Sequence, residues 1–283
     1  GRGCGEKADH VHLKLDHLGS EVIKKRLPGI RETIKTFLGI DPISDPIPVY
    51  PTVHYTMGGI PTDRFGRVVV PHGSSPEEPI PGLYAAGECA CVSVHGANRL
   101  GGNSLLDIVV FGRAAGNHII EFLHEHRYHR PMNSASIDQA LAHLARWDQR
   151  GEGETVAGLR ADLQTAMEEN CGVFRTEDVL AKGLERVVAI ERRLADVRLR
   201  DHSKVFNTGR IEALELENLI DVALATVSSA LTRQESRGAH SRIDFPDRDD
   251  EHWLKHTLFF KEGRRLEFKP VRLKPLTVES FPP

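Results

Sequence analysis

Long apolar runs are absent from this sequence of 283 residues, and so is any strong excess of charge of one sign. No run approaches the roughly 18 apolar residues of a membrane-spanning helix, and no secretory signal peptide is recognisable. The formal net charge of −3 argues against nucleic acid or an anionic membrane surface as the main partner. Binding of an anion would therefore depend on a few well-placed cationic side chains.

Cysteine is scarce, and its spacing does not indicate a metal site. Of the four cysteines, Cys89 and Cys91 are too close together for a zinc-binding pair, and no second pair exists. We expect reduced, buried thiols. The Gly-x-Gly-x-x-Gly fingerprint of dinucleotide-binding βαβ units is missing too. Because the chain starts at Gly1 rather than Met, we expect it to be a fragment or a processed piece of a longer protein.

An arginine lies on a glycine-rich turn, directly before an apolar run, within residues 95–107. Asn103 or Ser104 is a potential N-cap, and Ser104 with Asp107 has the spacing of a capping box. The run that follows predicts a helix that is buried on almost all sides. A helix N-terminus presents free N–H groups and the positive end of a dipole, which favours an anion or a polarised ring beside Arg99.

Two further glycine turns precede this stretch. Residues 82–88 indicate a short apolar strand that ends in Gly87 and Glu88, and a carboxylate in that position commonly accepts hydrogen bonds from sugar hydroxyls. His54 begins the sequence His-Tyr-Thr-Met-Gly-Gly-Ile. A lone histidine beside glycine is more often structural than a ligand, so the residues alone leave its role open.

Together these three stretches resemble the flavoprotein subunits of succinate dehydrogenase and fumarate reductase. The resemblance extends to residues 13–19 near the start and to 235–242 near the end, in the same order as in that family. It implies an α+β or α/β multidomain fragment from the carboxy-terminal portion of such a subunit. The double glycine Gly101-Gly102, followed by 103–107, is more similar to the dehydrogenase.

The resemblance also implies roles for individual residues. Arg99 and His54 would bind the carboxylates of a dicarboxylate substrate, and the planar guanidinium suits a bidentate contact with a carboxylate. Glu88 would accept hydrogen bonds from the ribityl hydroxyls of FAD, while backbone N–H groups of Ser104 and Leu105 would approach its ring system. His95 is expected to support Arg99 structurally.

The resemblance and the periodicity of apolar residues together divide the chain into four parts. Four amphipathic stretches predict a helical bundle, at 137–147, 156–170, 176–199 and 211–233. Alternating residues near the end predict two or three strands. The predicted parts are the end of a capping domain, the carboxy-terminal part of a split FAD-binding domain, a helical domain and a β-containing segment: 1–53, 54–130, 131–240 and 241–283.

Shorter elements follow from local signals. Residues 10–15 are predicted to be a strand and 21–27 a helix, and a second helix should begin at Pro28 and end at Gly39. Strands are expected at 53–60, at 67–70 and, buried, at 83–86, with an exposed loop at 72–81. The charges of 235–242 indicate either a solvated helix end or a segment that docks the helical domain onto the flavin domain.

The family's proton-transferring arginine and its histidine for covalent flavin attachment have no counterpart in this sequence. We therefore expect no catalytic residue here and only part of a substrate site and a cofactor site. The implied reaction is oxidation of succinate to fumarate by FAD, with electron transfer to an iron–sulfur subunit of a membrane-anchored complex. Such a subunit would lie peripherally on the cytoplasmic face of a bacterial inner membrane, or on the matrix side in mitochondria.

Three other hypotheses remain open. Fumarate reductase would run the same chemistry in reverse, and L-aspartate oxidase shares the motifs around Arg99 and Ser104. In the third, the chain is a folded scaffold without catalytic activity.

Overall fold

The computed structural model describes residues 3–6, 8–50, 54–128 and 131–273. The chain divides into two compact units, residues 1–56 and 57–283. The predicted boundaries near residues 130 and 240 stay predictions. No helix in the described part of the chain is long and apolar enough to cross a membrane.

The first unit is a two-stranded ribbon with two helices. Its strands pair antiparallel, and its elements are β1 (Val11–Leu13), α1 (Ser20–Arg26), α2 (Pro28–Leu38) and β2 (Ile47–Val49). As predicted, Pro28 occupies the first turn of α2, and Gly39 ends that helix in the left-handed conformation with φ of 69°. Part of the predicted strand at 53–60 lies outside the described residues; 54–59 is irregular, and β3 (Ile60–Pro61) is the only strand there.

The second unit begins with short strands, where the predicted loop at 72–81 is wrong. β4 (Arg67–His72) and β5 (Ser75–Tyr84) form an antiparallel hairpin. The prolines of β5 suggested a loop, but a two-stranded ribbon consists of edge strands, which tolerate proline. Leu83 was predicted to be buried, yet 48% of it is exposed because the ribbon is covered on one face only. Residues 85–86 lie beyond β5.

The long helix α3 (Asn103–Glu125) confirms the predicted element but not its burial. Its contacts lie on one side, where the Tyr84 hydroxyl hydrogen-bonds to His118 Nδ1 at 2.8 Å. On the same side, a Cβ at Gly66 would lie only 2.8 Å from that of Ala115. Much of the rest of α3 is exposed, with Leu105 at 69% and Val109 at 65%. An apolar composition therefore gave a helix here, but the described residues do not cover that helix on every side.

Four helices follow, and three of them enclose the main apolar core. The elements are α4 (Ser134–Ala145), α5 (Val156–Cys171), α6 (Glu177–Arg193) and α7 (Thr208–Thr232). Side-chain oxygens of Thr155, Thr176 and Asn207 cap α5, α6 and α7. Residues from all three helices and adjacent turns share the core, which includes Leu159, Leu163, Ala166, Val187, Ile190, Leu194, Ala213, Leu216 and Ile220. The predicted third helix ends earlier than expected, at Arg193, where a short 3-10 turn follows.

The described chain ends in a short helix and a hairpin. Asp249 caps α8 (Asp250–Trp253), and β7 (Lys255–Phe260) pairs antiparallel with β8 (Arg265–Pro270). Lys269 Nζ of β8 donates to Glu77 of β5 at 2.9 Å. The strands predicted near the end of the chain are therefore present as a hairpin. The ion pair between Lys269 and Glu77 connects this hairpin to the β4–β5 ribbon.

Candidate functional site

Arg99 lies on a turn that leads directly into α3. The turn is closed by the Asn103 N–H, which donates to Leu100 O at 3.2 Å, and by Gly102, the N-cap, with φ of 83°. That left-handed conformation favours glycine. The predicted side-chain cap by Asn103 or Ser104 is wrong, because the N-cap position falls on a glycine, which has no side chain to cap with.

Asp107 does not close a capping box with Ser104 but pairs with His95. Its Oδ2 lies 2.6 Å from His95 Nε2, and Asp107 is only 6% exposed. A buried carboxylate requires a partner, and this hydrogen bond connects the start of the Arg99 turn to the second turn of α3. This contact supports the expected structural role of His95. The sequence signal for this pair is an aspartate inside an otherwise apolar helical run.

Glu88 lies exposed in a turn just after β5. The preceding Gly87 is buried with φ of 82°, and a Cβ there would lie 3.2 Å from Cγ2 of Ile108 on α3. This close approach sets the Glu88 turn against the first turns of α3. The two stretches that carry the predicted cofactor residues are thereby neighbours.

The glycines that follow His54 in sequence contact the segment after Glu88. β3 pairs in parallel with β6 (Ala90–Cys91), and the Ile60 N–H donates to Cys89 O at 2.8 Å. A Cβ at Gly59 would lie 2.5 Å from the same oxygen, so glycine is needed there. His54 itself is exposed and belongs to the first unit.

The cysteines match the expectation of reduced, buried thiols only in part. Cys171 is buried, Cys4 and Cys91 are half-buried, and Cys89 is exposed in the turn that carries Glu88. All four are free. In the described ranges, no group of His, Cys, Asp and Glu side chains could hold a metal ion.

The charged side chains of segment 235–242 are buried rather than solvated. Glu235 is fully buried and accepts from Arg237 Nε at 2.8 Å, from Arg237 Nη2 at 2.9 Å and from the Asp249 N–H at 3.0 Å. Burial alone would raise the pKa of Glu235, but these hydrogen bonds and that of Arg233 outweigh it and lower the pKa. Sequence reasoning missed this network, because acid–arginine alternation fits a solvated surface equally well.

Arg242 anchors the segment to the end of α7. It is 1% exposed, and its Nη1 donates to the carbonyl oxygens of Ala230, Leu231 and Arg233, each at 3.2 Å. Those carbonyls lack helical partners, so the guanidinium caps the carboxy-terminal end of the helix. Its remaining nitrogens bind Asp244 bidentately at 2.7 Å.

His240, in the same segment, is half-buried beside arginines. Its Nδ1 lies 2.8 Å from Arg175 Nη1 and its Nε2 lies 3.3 Å from Arg233 O. Burial is the main cause that lowers the pKa of His240 to about 4, and the arginines Arg175, Arg233 and Arg242 lower it further. At neutral pH the ring is therefore uncharged, with Nδ1 accepting and Nε2–H donating.

The segment 235–242 also contacts the Arg99 turn. The Ala239 N–H donates to Ala97 O at 3.1 Å, and Gly238 approaches the Ala97 backbone closely. Of the two readings of these charges, the contacts support docking of the helical part onto the loop that carries Arg99.

The start of α3 has room and a hydrogen-bond acceptor for a bound flavin. A Cβ added at Gly101 or at Gly102 would meet no atom of the described residues within 4 Å, so space is open beside the helix N-terminus. The exposed Glu88 lies on the neighbouring turn and can accept hydrogen bonds. The Leu105 N–H already donates to Gly102 O at 3.1 Å, so a ring contact there would compete with that bond.

Two protein families match this chain. Residues 2–105 match the FAD binding domain, and residues 160–283 match the family described as fumarate reductase flavoprotein C-term. The first match confirms FAD as the predicted cofactor. The second confirms the resemblance to the carboxy-terminal part of such flavoproteins.

Curated relatives match over the full length of the chain. The succinate dehydrogenase flavoprotein subunit of Coxiella burnetii is 52% identical over 283 residues, which are 100% of this chain and 48% of that protein. The mitochondrial succinate dehydrogenase [ubiquinone] flavoprotein subunit of Oryza sativa is 47% identical, with 100% and 46% covered. The chain thus spans about half the length of the curated relatives it matches.

A solved structure has the same fold. E. coli quinol fumarate reductase FrdA superposes with a TM-score of 0.85 at 40% sequence identity, over 99% of this chain and 46% of that one. The match includes the Arg99 turn, α3 and the helical core, since nearly the whole chain is aligned.

Proposed function

Because this chain belongs to the family of succinate dehydrogenase and fumarate reductase flavoprotein subunits, we propose that the whole protein oxidises succinate to fumarate. The observation that carries the proposal is the Arg99 turn at the start of α3, in a chain that is 52% identical over its full length to a succinate dehydrogenase flavoprotein subunit. FAD, when bound, accepts the hydride that leaves a substrate methylene carbon.

Arg99 is proposed to bind one substrate carboxylate. Its guanidinium offers two parallel N–H donors to a carboxylate, and the turn that holds it is fixed to α3 by the His95–Asp107 pair. His54 is proposed as a second carboxylate ligand, through a charge-assisted hydrogen bond. Binding a substrate carboxylate restricts the orientation of the carbon that reacts.

Glu88 and the start of α3 are proposed to hold the cofactor. The Glu88 carboxylate would accept hydrogen bonds from ribityl hydroxyls, and the N–H groups of Ser104 and Leu105 would approach the ring, that of Leu105 in exchange for its bond to Gly102 O. The positive end of the α3 dipole favours negative charge beside it, which stabilises a reduced, anionic ring. We assign no proton acceptor to this chain.

Partners and location are proposed from the same family relationship. The curated relatives are named as subunits, and we propose that this protein passes electrons to an iron–sulfur subunit with membrane-anchor subunits. It would lie peripherally on the cytoplasmic face of a bacterial inner membrane, or on the matrix side in a mitochondrion.

Dye reduction by the full-length protein tests this proposal. We expect succinate-dependent reduction of an artificial electron acceptor that malonate inhibits competitively. Oxidation of L-aspartate without turnover of succinate would contradict the proposal and indicate an L-aspartate oxidase. Reduction of fumarate by a reduced dye, at a much higher rate than succinate oxidation, would favour the fumarate reductase alternative, supported by the FrdA superposition.

A further inference from the structure

The turn formed by residues 237–240 is seated on the backbone of the Arg99 loop. It is a tight turn, in which the Arg237 N–H donates to His240 O at 2.8 Å and the His240 N–H returns a bond to Arg237 O at 3.0 Å. Gly238 lies at its tip with φ of 57°. A Cβ there would lie 2.6 Å from both C and O of Ala97, two residues before Arg99. No side chain fits in that gap unless the Ala97 backbone moves.

Two ion pairs, one of them buried, hold this turn in place. Arg237 is bound bidentately by the fully buried Glu235, and its Nη2 also donates to Asp250 at 2.6 Å. Bidentate guanidinium–carboxylate pairs fix orientation as well as distance. The tip of the turn is therefore held rigidly. If an added side chain pushed the turn and Ala97 apart, the Arg99 loop would be the part that moves.

The Arg99 loop is thus held at two points. On one side His95 bonds to Asp107 of α3, and on the other Ala97 O accepts from Ala239. Arg99 follows within two residues of the second contact. We propose that Gly238 is a positioning residue, because its lack of a side chain lets the Arg99 loop take the position required for dicarboxylate binding. This inference rests on the proposed function.

Gly238→Ala in the full-length protein tests this inference, with Gly73→Ala as the matched control. Gly73 has the same φ of 57°, but a Cβ there would meet no described atom within 4 Å. Both variants place an alanine at the same positive φ, and only the alanine at position 238 would displace Ala97. We expect Gly238→Ala to raise the KM for succinate and lower kcat/KM at least tenfold at unchanged flavin content, and Gly73→Ala to stay within twofold of wild type.

A double-mutant cycle with Arg99→Lys separates positioning from general damage. If Gly238 acts through Arg99, Gly238→Ala should cost less than a further twofold in kcat/KM once Arg99 is lysine. The same tenfold loss in both backgrounds, or equal losses for Gly238→Ala and Gly73→Ala, would overturn the inference. Wild-type protein without succinate turnover would instead contradict the proposed function.

A milder variant decides the matter if Gly238→Ala does not fold. Asp250→Ala removes an exposed carboxylate that restrains Arg237, without placing an atom against Ala97. We expect a threefold rise in the KM for succinate that disappears in the Arg99→Lys background. Glu251→Ala, on the same short helix, is the control and should leave KM unchanged. No change in KM for Asp250→Ala would overturn the inference.

Discussion

The helical core and α3 are both rich in apolar side chains, yet only the core buries them among the described residues. Leu216 of α7 is fully buried, whereas Leu106 of α3 is 62% exposed. The sequence pattern does not separate the two regions, because α3 is about as apolar as α7 and at least as amphipathic as α5 and α7. The difference lies in the partners: α5, α6 and α7 pack on one another, whereas the described residues contact α3 mainly on one side. An apolar, amphipathic pattern therefore predicts a helix, but not how much of that helix the rest of the fold covers.

Replacing one leucine by alanine in each region tests whether the two regions differ in packing. We expect Leu216→Ala to lower the free energy of unfolding of the 283-residue chain by about 2–5 kcal/mol, because it leaves a cavity in the core. Leu106→Ala should change it by less than about 0.5 kcal/mol, as is typical of exposed positions. Urea unfolding followed by circular dichroism measures both. Equal losses would show that α3 is packed as tightly as the bundle.

A second test is the pH dependence of the free energy of unfolding, which reports on the titratable residues of segment 235–242. His240 has a native pKa of about 4, below the usual 6.5, so folding favours the neutral ring. Its contribution is complete above about pH 6.5 and is lost as the pH falls towards 4, by at most about 3 kcal/mol. Lowered pKa values of Glu235 and Asp244 act in the same direction at lower pH.

The measurement is urea unfolding of the full-length protein between pH 7 and pH 4.5, for wild type and His240→Gln. His256 also has a lowered pKa because of burial, so both proteins should lose some stability over this range. The wild type should lose more. Identical slopes for the two proteins would mean that His240 is not held neutral by its surroundings.

The smallest expected effect concerns Glu88, the residue proposed to bind the cofactor beside the exposed start of α3. Glu88→Ala should weaken flavin binding about tenfold, since it removes a charged acceptor, which is worth about 1.5–3 kcal/mol per hydrogen bond. Flavin content per chain after gel filtration of the full-length protein measures this. Glu78→Ala, an exposed carboxylate of β5 away from the turn, is the control. Full flavin occupancy in Glu88→Ala would remove Glu88 from the site.

Particular residues show how far the sequence predicts this molecule. Helix ends at Pro28 and Gly39 were predictable because prolines and glycines act locally. The burial of Glu235 and the pairing of His95 with Asp107 were not, because both depend on partners brought close by the fold. The strand β5 was missed for the opposite reason, since its prolines suggested a loop and an edge strand accommodates them.

The candidate site, too, was predictable from the sequence only in part. Motif resemblance identified Arg99, Glu88 and Ser104, and the structure brings their turns together at the start of α3 through the contact of Gly87 with Ile108. The seating of Gly238 on Ala97 was beyond sequence reasoning, because nothing in a glycine's neighbours reveals which distant backbone it touches.

The most direct test of the central claim, that Arg99 binds a substrate carboxylate, is titration of the full-length flavoprotein with malonate, followed by flavin absorbance. We expect saturable binding in the wild type and in Arg113→Lys, an exposed arginine of α3. Arg99→Lys should bind at least tenfold more weakly and lose about 10²-fold in kcat/KM for succinate, because lysine cannot form the bidentate contact. Equal malonate affinity in Arg99→Lys and wild type would contradict the claim.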